Sequence, residues 1–318
     1  MNHKDLLSPA LAAVWEASRC CEAVAEDMRV GDKQTKEDRS PVTVADYASQ
    51  ALILHRLSRL TPDLGIVAEE GSGDLRDNPD LVARIARFTT RFNPEVNEDT
   101  LLDLLDLGDH PGGDGPFWTL DPIDGTKGFL RGGQYAVALA LVKDGSPLLG
   151  VLGCPRYEID PGHPGVVFSG GAGIEARMWT SESAPPRQMR ACSEINLADA
   201  RLCESVESAH TAHDRSARLI KDLGISTDVL RMDSQAKYAS VAHGAAALYL
   251  RLPVKKGYQE KIWDHAAGLA VIEAAGGRVT DLDGKPLDFS QGQTLKDNRG
   301  VIATNGTLHH AALATVGS

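Results

Sequence analysis

Two aspartates, Asp121 and Asp124, stand three residues apart in TLDPIDGTKGFLRGG (119–133), with Gly125-Thr126 directly after them. Pro122 cannot continue a strand ladder, so the chain is expected to turn after Asp121, with Gly125 permitting a tight backbone and Thr126 opening a short helix. Two carboxylates placed around such a turn can face one point. Other acids occupy comparable junctions: Asp46 at an expected helix start in SPVTVADYASQ, Glu69-Glu70 at a strand end in VAEEGSG, and Asp264 at a helix start in IWDHAAGLAVIEAAGG. Singly, Asp46 and Asp264 suit helix caps, Glu69-Glu70 a solvated turn, and Asp121 and Asp124 turn formers. Together they are acids from four segments in the kind of position that can converge on one crevice.

Converging carboxylates repel each other by about 4 kcal/mol per pair at 4 Å and an effective dielectric of 20, so such a cluster needs cations. Hard oxygen ligands without His or Cys at metal spacing select magnesium, which retains waters and binds substrate phosphate. Two such ions can activate a water and stabilise the leaving oxygen of a displaced phosphoryl group, so phosphate-ester hydrolysis is the leading chemistry. Haloacid-dehalogenase-type phosphatases also place aspartates after a strand, but as D-x-D with a single intervening residue. Here Pro122 and Ile123 separate the pair, which disfavours a phospho-aspartate intermediate.

The elements that must position these acids follow from periodicity. Leu7, Leu11, Val14, Ala17, Cys21 and Val24 recur at helical spacing over 5–28, as do Leu52, Ile53, Leu57 and Leu60 over 46–60. Residues 65–68 read as a buried strand, 78–108 as two helices, and 118–120 as the strand that delivers Asp121. Tyr135, Val137, Leu139 and Leu141 alternate, and Lys143-Asp144-Gly145-Ser146 predicts a hairpin into 148–152. That is antiparallel pairing rather than a pure βαβ crossover. After a linker candidate at 181–188, strands are expected near 202–206, 227–232, 247–252, 278–281 and 300–303, and helices near 212–223, 235–243, 264–275 and 307–315.

With 318 residues the chain suits about two domains or one large layered domain. Its net charge of −11 repels nucleic acid and anionic membranes, so neither is an expected partner and an anionic substrate must be recruited locally. No apolar run approaches a membrane span or a signal-peptide core. Five cysteines without CxxC spacing argue against a disulfide framework and a zinc site, and for a reducing, cytoplasmic compartment.

Glu69-Glu70, DPIDGT at 121–126 and Trp263-Asp264 before an Ala/Gly-rich helix resemble the lithium-sensitive, magnesium-dependent phosphatase superfamily that includes inositol monophosphatase and fructose-1,6-bisphosphatase. The three motifs occur in the right order over most of the chain, with only 74–116 lacking a counterpart in shorter members. Within that superfamily, DGTKGFLRGGQYAVALAL, DSQAKYASVAHGAAALYLRLP and KKGYQEKIWDHAAG are similar to the 3′(2′),5′-bisphosphate nucleotidases of fungi and plants, which remove the 3′-phosphate of 3′-phosphoadenosine 5′-phosphate.

The resemblance implies a layered α+β (αβαβα) sugar-phosphatase fold. Its N-terminal metal-binding lobe would span 1–188 and its C-terminal lobe 189–318, the latter supplying Asp264 across the gap. It implies two or three Mg2+ ions held by Glu69, Asp121, the carbonyl of Ile123, Asp124 and Asp264, with Asp121 bridging and Glu70 secondary to Glu69. Asp46 and Thr126 match the pair that orients and deprotonates the attacking water, and the Gly125 and Thr126 amides would hold the scissile phosphate. His210, Ser234, Lys237 and Arg251 match nucleotide contacts. His213 is the alternative to His210, because this segment is one residue longer than the family pattern. The expected partner is a small-molecule nucleotide, and nothing demands a second copy of the chain. Two rival functions are an inositol polyphosphate 1-phosphatase on the same metal site and a non-catalytic magnesium and nucleotide sensor. The intact set Asp46, Glu69, Asp121, Asp124, Thr126 and Asp264 disfavours the sensor, which needs no water-activating pair.

Overall fold

The computed structural model describes residues 2–31, 40–206, 220–253 and 257–316. The central strands of its two sheets are apolar on both faces. In β3 (Ala136–Lys143), Val137, Leu139 and Leu141 alternate with Ala136, Ala138, Ala140 and Val142, and all seven are buried. Such a strand must be covered on both sides. The first row, with Trp118, Leu120, Leu149 and Val151, packs against α1 (Leu7–Gly31) and α2 (Ser40–Leu60). The second row packs against α6 (Ala236–Ala242) and α7 (Ala266–Ala274), which lie between the two sheets.

The first sheet runs in the order β1-β2-β3-β4-β5-β6-β7. Its strands are β1 (Gly65–Ala68), β2 (Phe117–Asp124), β3, β4 (Ser146–Asp160), β5 (His163–Gly171), β6 (Ile174–Trp179) and β7 (Arg187–Gln188). β1 pairs in parallel with β2, and every later pair is antiparallel. Between β1 and β2 the chain forms α3 (Pro79–Phe92) and α4 (Glu98–Asp106), the two helices expected from the sequence. The β3–β4 hairpin closes on Asp144 and Gly145, both at positive φ (51° and 72°), the conformation that a two-residue primed turn requires.

The second sheet has the order β11-β12-β10-β8-β9, from β8 (Leu202–Glu204), β9 (Leu230–Arg231), β10 (Leu248–Arg251), β11 (Arg278–Thr280) and β12 (Val301–Thr304). Its far face, including Leu202, Leu248, Leu250 and Ile302, is closed by Ala312 of α8 (His309–Val316). Helices, sheet, helices, sheet and helix therefore alternate, the expected five-layer α+β arrangement. α7 has almost no polar face because it is the central layer. It approaches the first sheet so closely that a Cβ on Gly150 would meet the Ala267 carbonyl oxygen at 2.4 Å.

Two local expectations are corrected. α2 begins at Ser40 rather than near Asp46, because Pro41 falls in the first turn, where its missing N–H costs nothing, and so starts the helix early. Asp46 is therefore inside the helix and buried, not at its cap. β2 does not end at Asp121 but continues through Pro122 by a bulge to Asp124. The helix expected at 212–223 falls mostly outside the described residues. Among the described residues, no helix is long and apolar enough to cross a membrane.

Candidate active site

The bulge decides where the central pair points. Asp121 registers with Ala138 and Asp124 with Ala136, so three residues on β2 oppose two on β3. In a regular strand, residues three apart face opposite sides. One extra residue restores the alternation and turns both carboxylates toward the same region. The turn is held locally: the Ile123 amide donates to Asp121 Oδ1 at 3.1 Å, and Ser49 Oγ of α2 donates to the Pro122 carbonyl at 3.1 Å.

Glu69 enters beside Asp121 because the parallel β1–β2 pairing carries on past the strand, with the Glu69 amide donating to the Leu120 carbonyl at 3.2 Å. Its carboxylate is electrostatically coupled to that of Asp121. The neighbouring Glu70 is fixed through its backbone, its amide donating to Gln50 Oε1 and its carbonyl accepting from Gln50 Nε2. Asp264 arrives from the other half of the chain, at the end of a 3-10 turn (Ile262–Asp264) that leads into α7.

Glu69, Asp121, Asp124 and Asp264 line a cleft of about 430 Å3 together with Ile123, Gly125 and Thr126. Gly125 has φ 88°, a left-handed conformation that favours glycine, and from it α5 (Thr126–Leu130) begins. Thr126 Oγ1 donates to the Ile123 carbonyl at 3.4 Å.

Burial and mutual repulsion raise the acids' affinity for protons. Asp121 is pushed well above the usual carboxylate range, first by burial and then by Glu69, Asp124 and Asp264. Glu69 opens into the cleft, yet the surrounding protein withdraws enough solvent to raise it to about 7, with Glu70 and Asp124 adding to the shift. Asp264 is raised to about 7 by burial, an effect that Arg251 opposes and Asp124 reinforces. Asp46 is also pushed up, by burial and then by Glu70 and Glu69.

The same cleft also carries basic residues. Ser234, Lys237, Arg251, Tyr258 and Lys261 line it. Lys237 is buried and donates from Nζ to the Ser234 carbonyl at 2.7 Å, with the Tyr249 ring centroid 5.4 Å away. Arg251 pairs with Glu260 at 2.7 Å and with Asp264 at 3.3 Å. Burial alone would raise Glu260, but the hydrogen bond to His265 and the Arg251 charge outweigh it and hold that carboxyl at about 2. Lys261 Nζ stands 5.1 Å from the Trp263 ring centroid.

A family model described as the inositol monophosphatase family matches residues 2–318. The chain belongs to the inositol monophosphatase family. Among curated relatives, a 3′(2′),5′-bisphosphate nucleotidase of Emericella nidulans is 42% identical, covering 89% of each chain. One from Schizosaccharomyces pombe is 40% identical over 92% of this chain and 90% of its own. One from Oryza sativa is 40% identical over 98% of this chain and 93% of its own. Among solved structures, an inositol monophosphatase from Anabaena superposes with a TM-score of 0.64 at 23% identity, covering 99% of this chain and 96% of its own. SuhB of Mycobacterium tuberculosis gives 0.65 at 21%, covering 98% and 96%. These two likenesses concern the fold.

Inositol monophosphatase family members generally work with magnesium, and the cleft has the chemistry to hold it. Its donors are carboxylates and one backbone carbonyl, all oxygen, as magnesium prefers. Burial raises both Glu69 and Asp121, and a cation held by these carboxylates would favour their charged forms. Among the described residues the tightest group of acid and imidazole ligands is Glu260, Asp264 and His265, within 4.8 Å of one another. Glu260 is already engaged by Arg251 and His265, whose Nδ1 lies 2.7 Å from the Tyr238 hydroxyl, so this group supports Asp264 rather than forming a separate cage.

The structure thus brings Glu69, Asp121, Ile123, Asp124, Gly125, Thr126, Ser234, Lys237, Arg251 and Asp264 to one cleft. Asp46 and Glu70 are not among its lining residues, and His210 and His213 lie outside the described residues. Sequence reasoning missed Ser49, Gln235 and Glu260. The segments DSQAKY and YQEKIWDH carried Gln235 and Glu260 in plain view, but side chains that hold other side chains leave no signature in spacing.

Proposed function

We propose that this chain hydrolyses a phosphate monoester of a bisphosphorylated nucleoside, releasing the 3′-phosphate of 3′-phosphoadenosine 5′-phosphate to give AMP, and that the sulfated nucleotide 3′-phosphoadenosine 5′-phosphosulfate is a second substrate. The observation that carries this reading is one cleft that holds both signs of charge, Glu69, Asp121, Asp124 and Asp264 together with Lys237, Arg251 and Lys261. An acid cluster alone would exclude an anionic substrate. The basic residues and bound cations admit one.

Glu69, Asp121, Asp124, Asp264 and the Ile123 carbonyl would hold two or three magnesium ions. Bound there, magnesium supplies Lewis acidity toward phosphoryl oxygens and a more acidic water. The residues do the rest. The amides of Gly125 and Thr126 are assigned to the scissile phosphate. Thr126 spends its proton on the Ile123 carbonyl and so keeps lone pairs for an attacking water. The family resemblance assigns Asp46 as the proton acceptor, although its side chain is buried in α2 and is not part of the cleft lining. In-line attack by water needs no covalent intermediate.

The nucleoside would extend past Ser234 and Lys237 toward Tyr258, whose exposed ring offers a face for a base. Phosphate release measured side by side on 3′-phosphoadenosine 5′-phosphate, its sulfated form, inositol 1-phosphate and inositol 1,4-bisphosphate tests the assignment. The bisphosphonucleosides should be preferred. Preference for either inositol substrate would refute it.

A further inference from the structure

Gln235 is 1% exposed, and its polar groups serve two segments that meet at the cleft. Its backbone N–H donates to Asp124 Oδ2 at 2.5 Å. Its side-chain Nε2 donates to the Trp263 carbonyl at 2.8 Å, and its Oε1 accepts from the Gly268 amide at 3.0 Å. The Trp263 carbonyl belongs to the peptide that leads directly into Asp264. The Gly268 amide lies in the first turn of α7, among those that a helix start leaves without an intrahelical partner.

The turn before Gln235 is built for this contact. Ser234 has φ 67°, a left-handed conformation that residues other than glycine uncommonly adopt. It is one of two non-glycine residues at positive φ among the described residues, and the other, Asp144, is in the hairpin turn. The Ser234 bend packs on Gly125, where a Cβ would come within 3.0 Å of Ser234 Cβ. Unusual backbone held at a cleft in this way points to a positional requirement.

We propose that Gln235 is a positioning residue that fixes the separation between Asp124 and Asp264 and thereby sets the metal affinity of the cleft. The proposal rests on the reading that these acids hold magnesium. Asp124 comes from the first sheet and Asp264 from the segment feeding α7. One residue bonded to Asp124 through its main chain and to both sides of Asp264 through its side chain converts two separately carried ligands into one set. Groups that orient metal ligands in this manner contribute about 10- to 100-fold to metal affinity or activity.

The test is Mn2+ binding to the full-length, substrate-free protein, followed by electron paramagnetic resonance at a temperature where circular dichroism shows each variant folded. Gln235→Met keeps the length and removes both side-chain hydrogen bonds, and should weaken Mn2+ binding at least about tenfold. Gln235→Glu keeps the size and the acceptor for Gly268 but loses the donor to Trp263 and adds a negative charge. Simple attraction predicts tighter binding in that variant, whereas lost positioning predicts weaker binding. If Gln235→Met does not fold, Gln235→Glu decides alone. Unchanged or tighter binding in a folded variant overturns the role of Gln235. A wild-type protein that binds no Mn2+ overturns the metal reading with it.

Discussion

The guanidinium of Arg251 stands 3.3 Å from Oδ2 of Asp264 and 2.7 Å from Glu260. From the sequence, Arg251 is a cation for the distal end of a nucleotide, with losses expected mainly on substrates that reach it. In the structure it is bound to Asp264, one of the acids proposed to hold magnesium. Arg251→Ala should therefore reduce kcat/KM on a bisphosphonucleoside and on a small monophosphate alike. It also leaves Glu260 buried without its cation, a change that typically costs about 3–5 kcal/mol of stability. Steady-state kinetics on both substrates and a denaturant melt check this. A loss confined to the bisphosphonucleoside, with stability intact, would restore the sequence-based role.

Thr126→Ala should lower kcat by roughly 10²- to 10⁴-fold, the usual scale of proton-transfer catalysis, with little change in KM. The hydroxyl is assigned to the nucleophile, and the phosphate is assigned to backbone amides that the substitution leaves in place. A raised KM with wild-type kcat would place Thr126 in substrate binding instead.

Much of this site is legible in the sequence because its acids occupy strand ends and helix starts, positions that motifs and turn residues announce. Asp121 and Asp124 are the clearest case, although their shared direction comes from a bulge that spacing does not reveal. Asp46 shows the limit of local reading. Pro41 starts its helix early, and the buried environment that raises its pKa is tertiary. Alternation reveals β3 and its Asp144-Gly145 turn, but the sequence reading has no counterpart for β5 and β6, and β7 lies within the stretch expected as a linker. The pairing of Arg251 with Glu260 and the bonds of Gln235 were not legible, since both depend on which side chains meet after folding.

Metal and pH should be linked. Burial and mutual repulsion raise Asp121 well above its ordinary range and bring Glu69 and Asp264 to about 7. The metal-free folded protein therefore holds protons that the unfolded chain has released. That contribution to stability is complete below about pH 4, where both states are protonated, and is lost as pH rises through about 7. Magnesium replaces the protons. The difference in Tm between magnesium-saturated and chelated protein should consequently widen from pH 5 to pH 8, as thermal melts at each pH would show. A constant or narrowing difference contradicts the linkage.

Tyr258 is 49% exposed and lines the cleft. A nucleobase can stack on that ring, whereas inositol has no aromatic face. Tyr258→Ala should cost about 1–3 kcal/mol in kcat/KM for 3′-phosphoadenosine 5′-phosphate, roughly 5- to 150-fold, and little for inositol 1-phosphate. Tyr258→Phe keeps the ring and should retain most of the activity. Equal losses for Ala and Phe would assign the effect to the hydroxyl rather than the ring.

Phosphate release from 3′-phosphoadenosine 5′-phosphate by chelator-treated protein, before and after magnesium is returned, tests the metal-assisted nucleotidase reading most directly. Wild type should be inactive when stripped and recover with magnesium. Asp124→Asn should lose at least about 3 kcal/mol of transition-state stabilisation under the same conditions, the scale of one lost electrostatic stabiliser. Full activity in excess chelator, or an Asp124→Asn variant as active as wild type, would contradict it.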